Sequence, residues 1–129
     1  MLFRSAKATP EGPEKVKKET ENTRFENTYL QIDKEFMTNL TASKKVMVVQ
    51  IAVMTHYDNR VFDNVKKHEF AIRSGILDVM RQTTEAEAAR PDFRSELAAK
   101  IKVVMNDILM KYEDFGGIED VFFTSFVMQ

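Results

Sequence analysis

Residues 116–129 have the sequence GGIEDVFFTSFVMQ, and this stretch has the largest influence on how the fold is interpreted. Two glycines break the preceding pattern, and a run rich in aromatic and β-branched residues then continues to the last residue, as is typical of a β-strand. Both faces of this strand would be apolar, and an exposed edge strand of that kind is an aggregation hazard. We therefore predict a strand in the middle of the fold, covered on both sides or paired along both edges.

Side chains alternate between the two faces of a strand, so the sequence also predicts which residues lie together. The predicted faces are Val121, Phe123 and Val127 on one side, and Ile118, Phe122, Phe126 and Met128 on the other. We expect helices to cover one face. The alternative is that Phe122, Phe126 and Met128 become fully buried only when another copy or a partner packs on them. A head-to-tail contact between copies would close into a ring where the rotation allows it.

The composition limits the class of protein. The chain has 129 residues, 30% of them charged, with a formal net charge of -1. This fits a single domain and provides no electrostatic docking surface for nucleic acid. The absence of cysteine excludes disulfides, thiolate catalysis and cysteine zinc sites. No stretch reaches the roughly 20 apolar residues that span a bilayer, and the first seven residues are too short and polar for a secretory signal. If the chain belongs to a membrane protein, we expect the anchor to lie outside this sequence.

The first half of the chain is predicted to contain a linker followed by strands. Residues 1–27 have few large apolar side chains and two prolines, so we expect a flexible linker. An alternating stretch at 28–40 predicts one bent strand or two short ones. Residues 45–57 form the longest strand candidate, with one solidly apolar face. We predict that this strand is central and lies beside the C-terminal one.

An amphipathic helix is predicted after the long strand. Asp58 or Asn59 can cap its start, and the spacing of apolar residues changes there to about 3.6. The apolar stripe consists of Val61, Val65, Ile72, Ile76 and Met80. Gly75 lies inside this helix, where glycine costs roughly 1 kcal/mol relative to alanine, and it indicates a close approach or a bend.

A second long helix is predicted to follow a short one. Thr84 stands three residues before a glutamate, which is the spacing of a capping box and predicts a short helix from Glu85 that stops before Pro91. The long helix begins at Asp92, and one of the glycines at 116–117 is expected to supply the left-handed residue at its end. The predicted fold class is α+β in the order β-β-β-α-α-β, with a small sheet packed against amphipathic helices.

The sequence contains few groups that could do chemistry. Only His56 and His68 are neutral-pH bases or nitrogen ligands, and neither belongs to a zinc or nucleophile motif. We therefore predict no catalytic residue, no metal site and no cofactor. The remaining enzymatic alternative is a pair of His56 with Asp58. Gly116 and Gly117 are predicted to form a turn and not a phosphate loop.

Several stretches resemble the periplasmic domain of the flagellar basal-body protein family FliL. The most specific is the closing motif 119–129, in which Phe-Thr and Phe-Val pairs precede a final glutamine. The pairs Asn39-Leu40 and Ile72-Arg73 match the family pattern too, and the similarity runs over 28–129. A proline common in the family just before the isoleucine–arginine pair is absent, its place being held by residues 68–71.

The resemblance implies a single-pass inner-membrane protein whose periplasmic domain, residues 28–129, is similar to the stomatin and prohibitin (SPFH) fold. Such domains assemble into rings, and the family is associated with the ion-driven stator of the flagellar motor, supporting torque, swimming or swarming. The membrane helix that normally precedes the domain is absent from this chain. Residues 1–27 would then represent the juxtamembrane linker, with room for vector residues at its start.

The residues and the resemblance together predict a non-enzymatic scaffold that oligomerises around or against the periplasmic part of a stator complex at the basal body. Cationic helix faces are expected to meet acidic groups of a neighbouring copy, and the last strand is expected to add apolar contacts. The predicted interface residues are Arg60, Lys66, Lys67, Arg73, Phe122, Phe126 and Met128. The alternative is a monomeric periplasmic domain that binds a small ligand, with the apolar face lining a pocket.

Overall fold

The computed structural model describes residues 26–129, so the linker predicted for residues 1–27 lies almost entirely outside the described residues. The described part folds as α+β, with three strands first, then helices, then a final strand, as predicted. The elements are β1 (Thr28–Gln31), β2 (Phe36–Asn39), β3 (Val46–Thr55), α1 (Arg60–Lys67), α2 (Glu69–Arg81), α3 (Glu85–Ala88), α4 (Phe93–Glu113) and β4 (Asp120–Met128).

The strand β3 is the centre of one antiparallel sheet. One edge of β3 pairs with β4, and the other edge pairs with β1 and β2, which lie one after the other along it. The prediction that β3 is central and lies beside the C-terminal strand is confirmed. The predicted central position of β4 is wrong, because within residues 26–129 it pairs with β3 along one edge only. With ten residues, β3 is long enough to pair with two short strands along one edge and with β4 along the other.

A β-bulge in β4 changes which of its side chains share a face. Gln50 of β3 lies opposite Ser125, but the next residue, Ile51, lies opposite Phe123. Thr124 is therefore the extra residue on the bulged strand. Alternation holds on each side of Thr124 but not across it.

The bulge places Phe126 and Met128 on the same face as Phe123, where the helices cover the sheet and both residues pack against the core. Val127 moves to the opposite face, with Phe122. The faces predicted from the sequence are therefore wrong after residue 124. They are also wrong for Ile118, which precedes β4 and is buried in the core instead of lying with Phe122. The alternation of side chains along one strand cannot show that the strand contains an extra residue. An extra residue is recognised only from how the strand pairs with its neighbour.

The helices form a layer over one face of the sheet. The single helix predicted after β3 is in fact two, because His68, at φ -106° and ψ 28°, separates α1 from α2. The apolar stripe continues across this break, since Val65 and Ile72 are two helical turns apart. Gly75 marks a close approach and not a bend: α2 continues through it, and a Cβ there would lie 2.8 Å from Cγ1 of Val104.

The core lies between the sheet and the helix layer. It combines the side chains of β3 at odd-numbered positions with the apolar stripes of α2 and α4. The fully buried residues include Phe36, Met47, Val49, Ile51, Ile72, Ile76, Met80, Ile101, Met105 and Leu109. This packing leaves the opposite face of the sheet without helices among the described residues.

The helix ends follow the sequence signals in part. At the start of α1 the N–H of Arg60 donates to Oδ1 of Asp58 at 3.0 Å, whereas the side chain of Asn59 forms no cap. The predicted capping box is confirmed: the N–H of Glu87 donates to Oγ1 of Thr84 at 3.1 Å, and the N–H of Thr84 donates to Oε1 of Glu87 at 3.0 Å. The left-handed residue that ends α4 is Asp114, with φ 60°, and not one of the glycines. Gly117 also has a positive φ, 91°, but it lies within the connection to β4.

Candidate interaction surfaces

The face of the sheet that points away from the helices, here called the outer sheet face, is almost free of charge. The strand register places on it Tyr29, Gln31, Met37, Asn39, Val46, Val48, Gln50, Ala52, Met54, Asp120, Phe122, Ser125 and Val127. Asp120 is the one charged member of this set, although 30% of the chain is charged. Depletion of charge in a surface is typical of the centre of a protein–protein contact.

The outer sheet face also exposes large apolar side chains. Tyr29 and Met37 are each 62% exposed, Val127 is 47% exposed and Phe122 is 40% exposed. The rings of Tyr29 and Phe122 come from strands on either side of β3, and their centroids lie 6.0 Å apart. The apolar side chains thus form a continuous band across the sheet and not isolated points.

Arg60, a predicted interface residue, begins α1 and is bound to Asp58. Its Nη2 lies 2.8 Å from Oδ2 of Asp58, and its Nε donates to the same carboxylate. The hydrogen bond from Arg60 lowers the pKa of Asp58 below the ordinary value, which makes this carboxylate a poor base near neutral pH. The side chain of Arg60 remains largely exposed.

Lys66 and Lys67 end α1, and both are exposed. Nζ of Lys67 lies 3.0 Å from Oε2 of Glu113, the last residue of α4. Nε2 of His68 lies 2.6 Å from the same oxygen, and its ring stacks on Tyr112 at a centroid distance of 5.1 Å. A carboxylate accepts hydrogen bonds and does not donate them, so Nε2 carries the proton of this bond. The break between α1 and α2 is therefore fastened to the end of α4.

This contact predicts a pH dependence of stability. Hydrogen bonds from His68 and Lys67 lower the pKa of Glu113 below its ordinary value of 4.5. A carboxylate whose pKa is lower in the folded state than in the unfolded state stabilises the fold at pH values above its unfolded-state pKa. This stabilisation is lost as the pH falls through the folded-state pKa. In urea denaturation, Glu113→Gln should therefore be less stable than the original protein at about pH 5.5, and the difference should shrink as the pH is lowered to about 3. An equal difference at both pH values would contradict this role for Glu113.

Arg73 is not the exposed helix residue that the sequence predicted. Its guanidinium donates to the carbonyl oxygens of Asp33 at 2.8 Å, Lys34 at 3.3 Å and Glu35 at 2.7 Å, and it lies 3.9 Å from the ring centroid of Phe36. These residues form the bend between β1 and β2. Arg73 thus fastens the bent strand to α2, and its predicted role at an interface stays a prediction.

The structure does not form the suggested pair of His56 with Asp58. Nδ1 of His56 lies 3.4 Å from Oε2 of Glu119, and Asp58 holds Arg60. In the range 26–129, no three histidine or carboxylate side chains are grouped so that they could hold a metal ion. Among the helices of the same range, none combines the length and the apolar composition needed to cross a bilayer.

A groove of about 420 Å³, here called the helix groove, opens between the end of α2, the short helix α3 and the first half of α4. Its lining includes the apolar residues Val79, Phe93, Leu97, Val103 and Val104 and the charged residues Glu87, Arg90, Glu96 and Lys100. The helix groove contains no residue of β4. It is therefore not the pocket that the ligand-binding alternative required, which was to be lined by the apolar face of the last strand.

Asn106 in α4 is a structural residue that the sequence reasoning missed. Its Nδ2 donates to the carbonyl oxygen of Ile118 at 2.9 Å, and its Oδ1 accepts from the N–H of Ile118 at 2.9 Å. Gly116 packs against this side chain, and a Cβ there would lie 2.6 Å from the same Oδ1. Asn106 thereby positions the connection into β4. The available signal was an asparagine in the middle of a helix, where its propensity is low.

The family model for the flagellar basal body-associated protein FliL matches residues 29–129. The chain belongs to the FliL family. The flagellar protein FliL of Aquifex aeolicus (strain VF5) is 29% identical to it over 100 residues, which is 77% of this chain and 60% of that protein. The chain thus spans about 60% of the length of this curated FliL relative.

The FliL match starts within β1 and continues through β4, so it covers all the elements described above. Several residues of the motifs that resemble the family stabilise the fold of this FliL-family domain. Leu40 is buried, Arg73 fastens the bend between β1 and β2, and Phe123 and Phe126 pack against the core. These residues therefore support the fold, whereas Phe122 and Val127 of the same closing motif lie on the outer sheet face.

Proposed function

We propose that this FliL-family chain is the periplasmic part of a single-pass inner-membrane protein and acts as a non-enzymatic scaffold of the flagellar motor. Association with the flagellar basal body follows from the family. The periplasmic location, the SPFH type of the fold, and the division into a linker at 1–27 and a domain at 28–129 belong to the proposal. An antiparallel sheet with helices on one face supports the SPFH type.

The outer sheet face is the observation that carries this proposal. Its apolar band with a single carboxylate provides no attraction for a polyanion, and it fits burial against another protein. The outer sheet face is about three strands wide, at about 4.8 Å per strand, and about nine residues long, at about 3.3 Å per residue. Its area is therefore roughly 400 Å². A standard interface buries about 800 Å² on each partner, so this contact should be weak for a single domain. It would become stronger when several copies are held together on one membrane.

We assign the outer sheet face to the periplasmic part of the ion-driven stator, and the exposed cationic side chains of α1 to contacts between copies in a ring. Phe122 lies on the outer sheet face, whereas Phe126 and Met128 lie under the helices and support that face from the core side. Arg60, Lys66 and Lys67 lie on the helices at positions that a neighbouring copy can reach. A ring fixed to the stator in this way would support torque in swimming and swarming.

Charge placed on the outer sheet face tests the proposal. Phe122→Lys and Val127→Lys should reduce swimming in soft agar and lower stator recovery in co-purification by about tenfold, because a lysine cannot be buried there without losing its hydration. The free energy of unfolding should change by less than about 1 kcal/mol, since both positions are partly exposed. Met110→Lys, at a position 53% exposed on α4, is the matched control and should leave both readouts unchanged. Normal motility and stator recovery in both outer-face variants would contradict the proposal.

A further inference from the structure

Within residues 26–129, the edge of β4 that points away from β3 is an unpaired strand edge, here called the free edge. On the paired edge, Gln129 and Val46 exchange both of their backbone hydrogen bonds, at 2.9 and 2.6 Å. Bonded and non-bonded residue pairs alternate along an antiparallel ladder. Phe126 and Met128 are therefore not bonded to β3, and their N–H and carbonyl groups point to the free edge.

The free edge continues on the other side of the bulge. The carbonyl oxygen of Ile51 accepts a hydrogen bond from the segment that follows β1, so Ile51 is bonded along the other edge of β3. Phe123 lies opposite Ile51, and its backbone groups therefore point to the free edge. Those of Val121 do the same, although its N–H is already donated to Oδ1 of Asp120 at 3.0 Å. This row of groups matches the backbone of another extended strand.

The strand β4 lacks most of the features that keep edge strands from pairing. Natural edges are protected by charged side chains, by proline, by a bulge or by being short. Residues 121–129 contain no charged side chain and no proline, and β4 is nine residues long. The side chains of Phe123, Phe126 and Met128 pack against the core but are only partly buried. A strand added at the free edge would cover them further.

The sequence of β4 identifies the strand that fits this edge. Residues 120–129, DVFFTSFVMQ, have the same chemical character when they are read from either end. A second copy of β4 can therefore run antiparallel to the first, with the centre between Thr124 and Ser125, so that apolar residues face apolar ones and polar residues face polar ones. The opposite residues are then Asp120 with Gln129, Val121 with Met128, Phe122 with Val127, Phe123 with Phe126, and Thr124 with Ser125.

The same register also aligns the backbone groups and the bulges. Residues that point to the free edge meet only each other, because Phe123 faces Phe126 and Val121 faces Met128. The bulge widens the spacing between Phe123 and Phe126 from two residues to three, and in the second copy the same wide spacing lies directly opposite. A regular strand does not have this spacing. A second copy of this chain therefore fits the free edge better than an unbulged strand of another protein.

We propose that two copies of this chain pair through the free edges of β4, antiparallel about a two-fold axis between Thr124 and Ser125. Each copy uses the same residues, so the contact is isologous and closes at two copies. It joins two four-stranded sheets into one continuous sheet with the helices of both copies on one side. This pairing requires neither the stator contact nor the cationic contact proposed above.

The pairing also has a consequence for the outer sheet face. Residues directly opposite each other in a sheet lie on the same face, so the outer sheet faces of the two copies become continuous. Their combined area is roughly 800 Å², twice the area of a single copy. A standard interface buries about that area on each partner. The pair therefore presents a surface of the size that a stable contact needs.

The absence of cysteine from the chain permits a direct test by disulfide formation. Purified full-length Phe122→Cys and Val127→Cys proteins would be mixed and oxidised with copper phenanthroline. Positions 122 and 127 of the two copies would form a non-bonded pair with Cα atoms about 4.5 Å apart, which is within disulfide range. We expect dimers from the mixture and none from either protein alone, because identical positions would be roughly 16 Å apart. Phe122→Cys mixed with Met110→Cys is the matched control and should give none.

Charge at the axis tests the register further. Ser125→Lys in both cysteine proteins should reduce the disulfide yield by about tenfold, because the two lysines would be adjacent on neighbouring strands. Ser125→Lys in one protein and Ser125→Glu in the other should restore the yield, since the opposite charges attract. Ser74→Lys in both proteins, at an exposed position on α2, should leave the yield unchanged. A yield that is insensitive to these charges at position 125 would contradict the register.

Hydrogen exchange provides a second measurement on the unsubstituted protein. The N–H groups of Phe126 and Met128 should exchange about tenfold more slowly in concentrated than in dilute protein, because pairing protects them. The pairing is wrong if these rates do not depend on concentration, if Phe122→Cys forms dimers alone, or if its yield with Val127→Cys is no higher than with Met110→Cys. None of these readouts involves the stator, so such a result would leave the proposed stator contact standing.

Discussion

Replacing Arg73 by alanine should lower the free energy of unfolding by about 2 to 3 kcal/mol. The guanidinium makes three hydrogen bonds to the backbone carbonyls at 33–35 and lies over the ring of Phe36. Hydrogen bonds to a charged group typically contribute about 1.5–3 kcal/mol, and a cation–π contact about 0.5–1 kcal/mol or more. We expect less than the sum over three such bonds, because Arg73 is only half-buried and its exposed acceptors can bond to water instead. Urea denaturation of the dilute protein measures the change.

Arg73→Lys is the matched control for this prediction. Lysine keeps the charge but lacks the planar fork that reaches several carbonyls at once, so it should recover less than half of the loss. The same pair of variants distinguishes the two roles considered for this residue. If Arg73 acted only at an interface, both variants would unfold with the same free energy as the original protein.

Asn106→Leu should destabilise the fold by about 3 kcal/mol. Leucine has a similar size but no polar atoms, so the N–H and the carbonyl oxygen of Ile118 would each lose a partner in a region that is partly buried. Leaving a buried polar group unpaired costs about 1–3 kcal/mol. We expect the loss to appear as a lower urea midpoint, with hydrogen exchange increasing first at the amide of Ile118.

Two further variants refine the test of Asn106. Asn106→Asp keeps the acceptor for the N–H of Ile118 but loses the donor to its carbonyl, so its stability should lie between those of Asn106→Leu and the original protein. Asp107→Asn, at the exposed neighbouring position, should change stability by less than about 0.5 kcal/mol. A leucine variant as stable as the original protein would show that Asn106 does not hold the connection into β4.

Features that depend on near neighbours in sequence were predictable. The capping box at Thr84 needs partners within one helical turn, and both were visible in the sequence. The alternation of β3 predicted a central strand because its buried face is continuous over ten residues. The close approach at Gly75 was one of the two alternatives predicted for a glycine in the interior of a helix, the other being a bend.

Features that depend on distant partners were not predictable. The bulge at Thr124 is defined by its register with β3, and no property of β4 alone reveals it. Arg73 lies outside the apolar stripe of its helix, as a solvated residue would, yet its acceptors are about forty residues earlier in the chain. The break at His68 carries no glycine or proline, and the apolar stripe continues through it.

The structure shows where the residues of the predicted interface lie, and their role at an interface stays a prediction. The sequence predicted an apolar surplus on the last strand, and Phe122 lies in the exposed band on the outer sheet face. The bulge exchanged its neighbours, so Val127 belongs to that band while Phe126 and Met128 belong to the core side. The helix groove and the 89% exposure of Phe70 in α2 were missed, because exposure and concavity arise only when the helices are packed together.

The most direct test of the central claim is to identify what the outer sheet face touches in a motile cell. A photo-crosslinking amino acid would replace Phe122 in the full-length protein, and Met110 on the helix layer would be replaced in a parallel strain. We predict that position 122 gives a crosslinked product containing a stator subunit and that position 110 does not. Crosslinks to the stator from position 110 alone, or from neither position in cells that swim normally, would contradict the account.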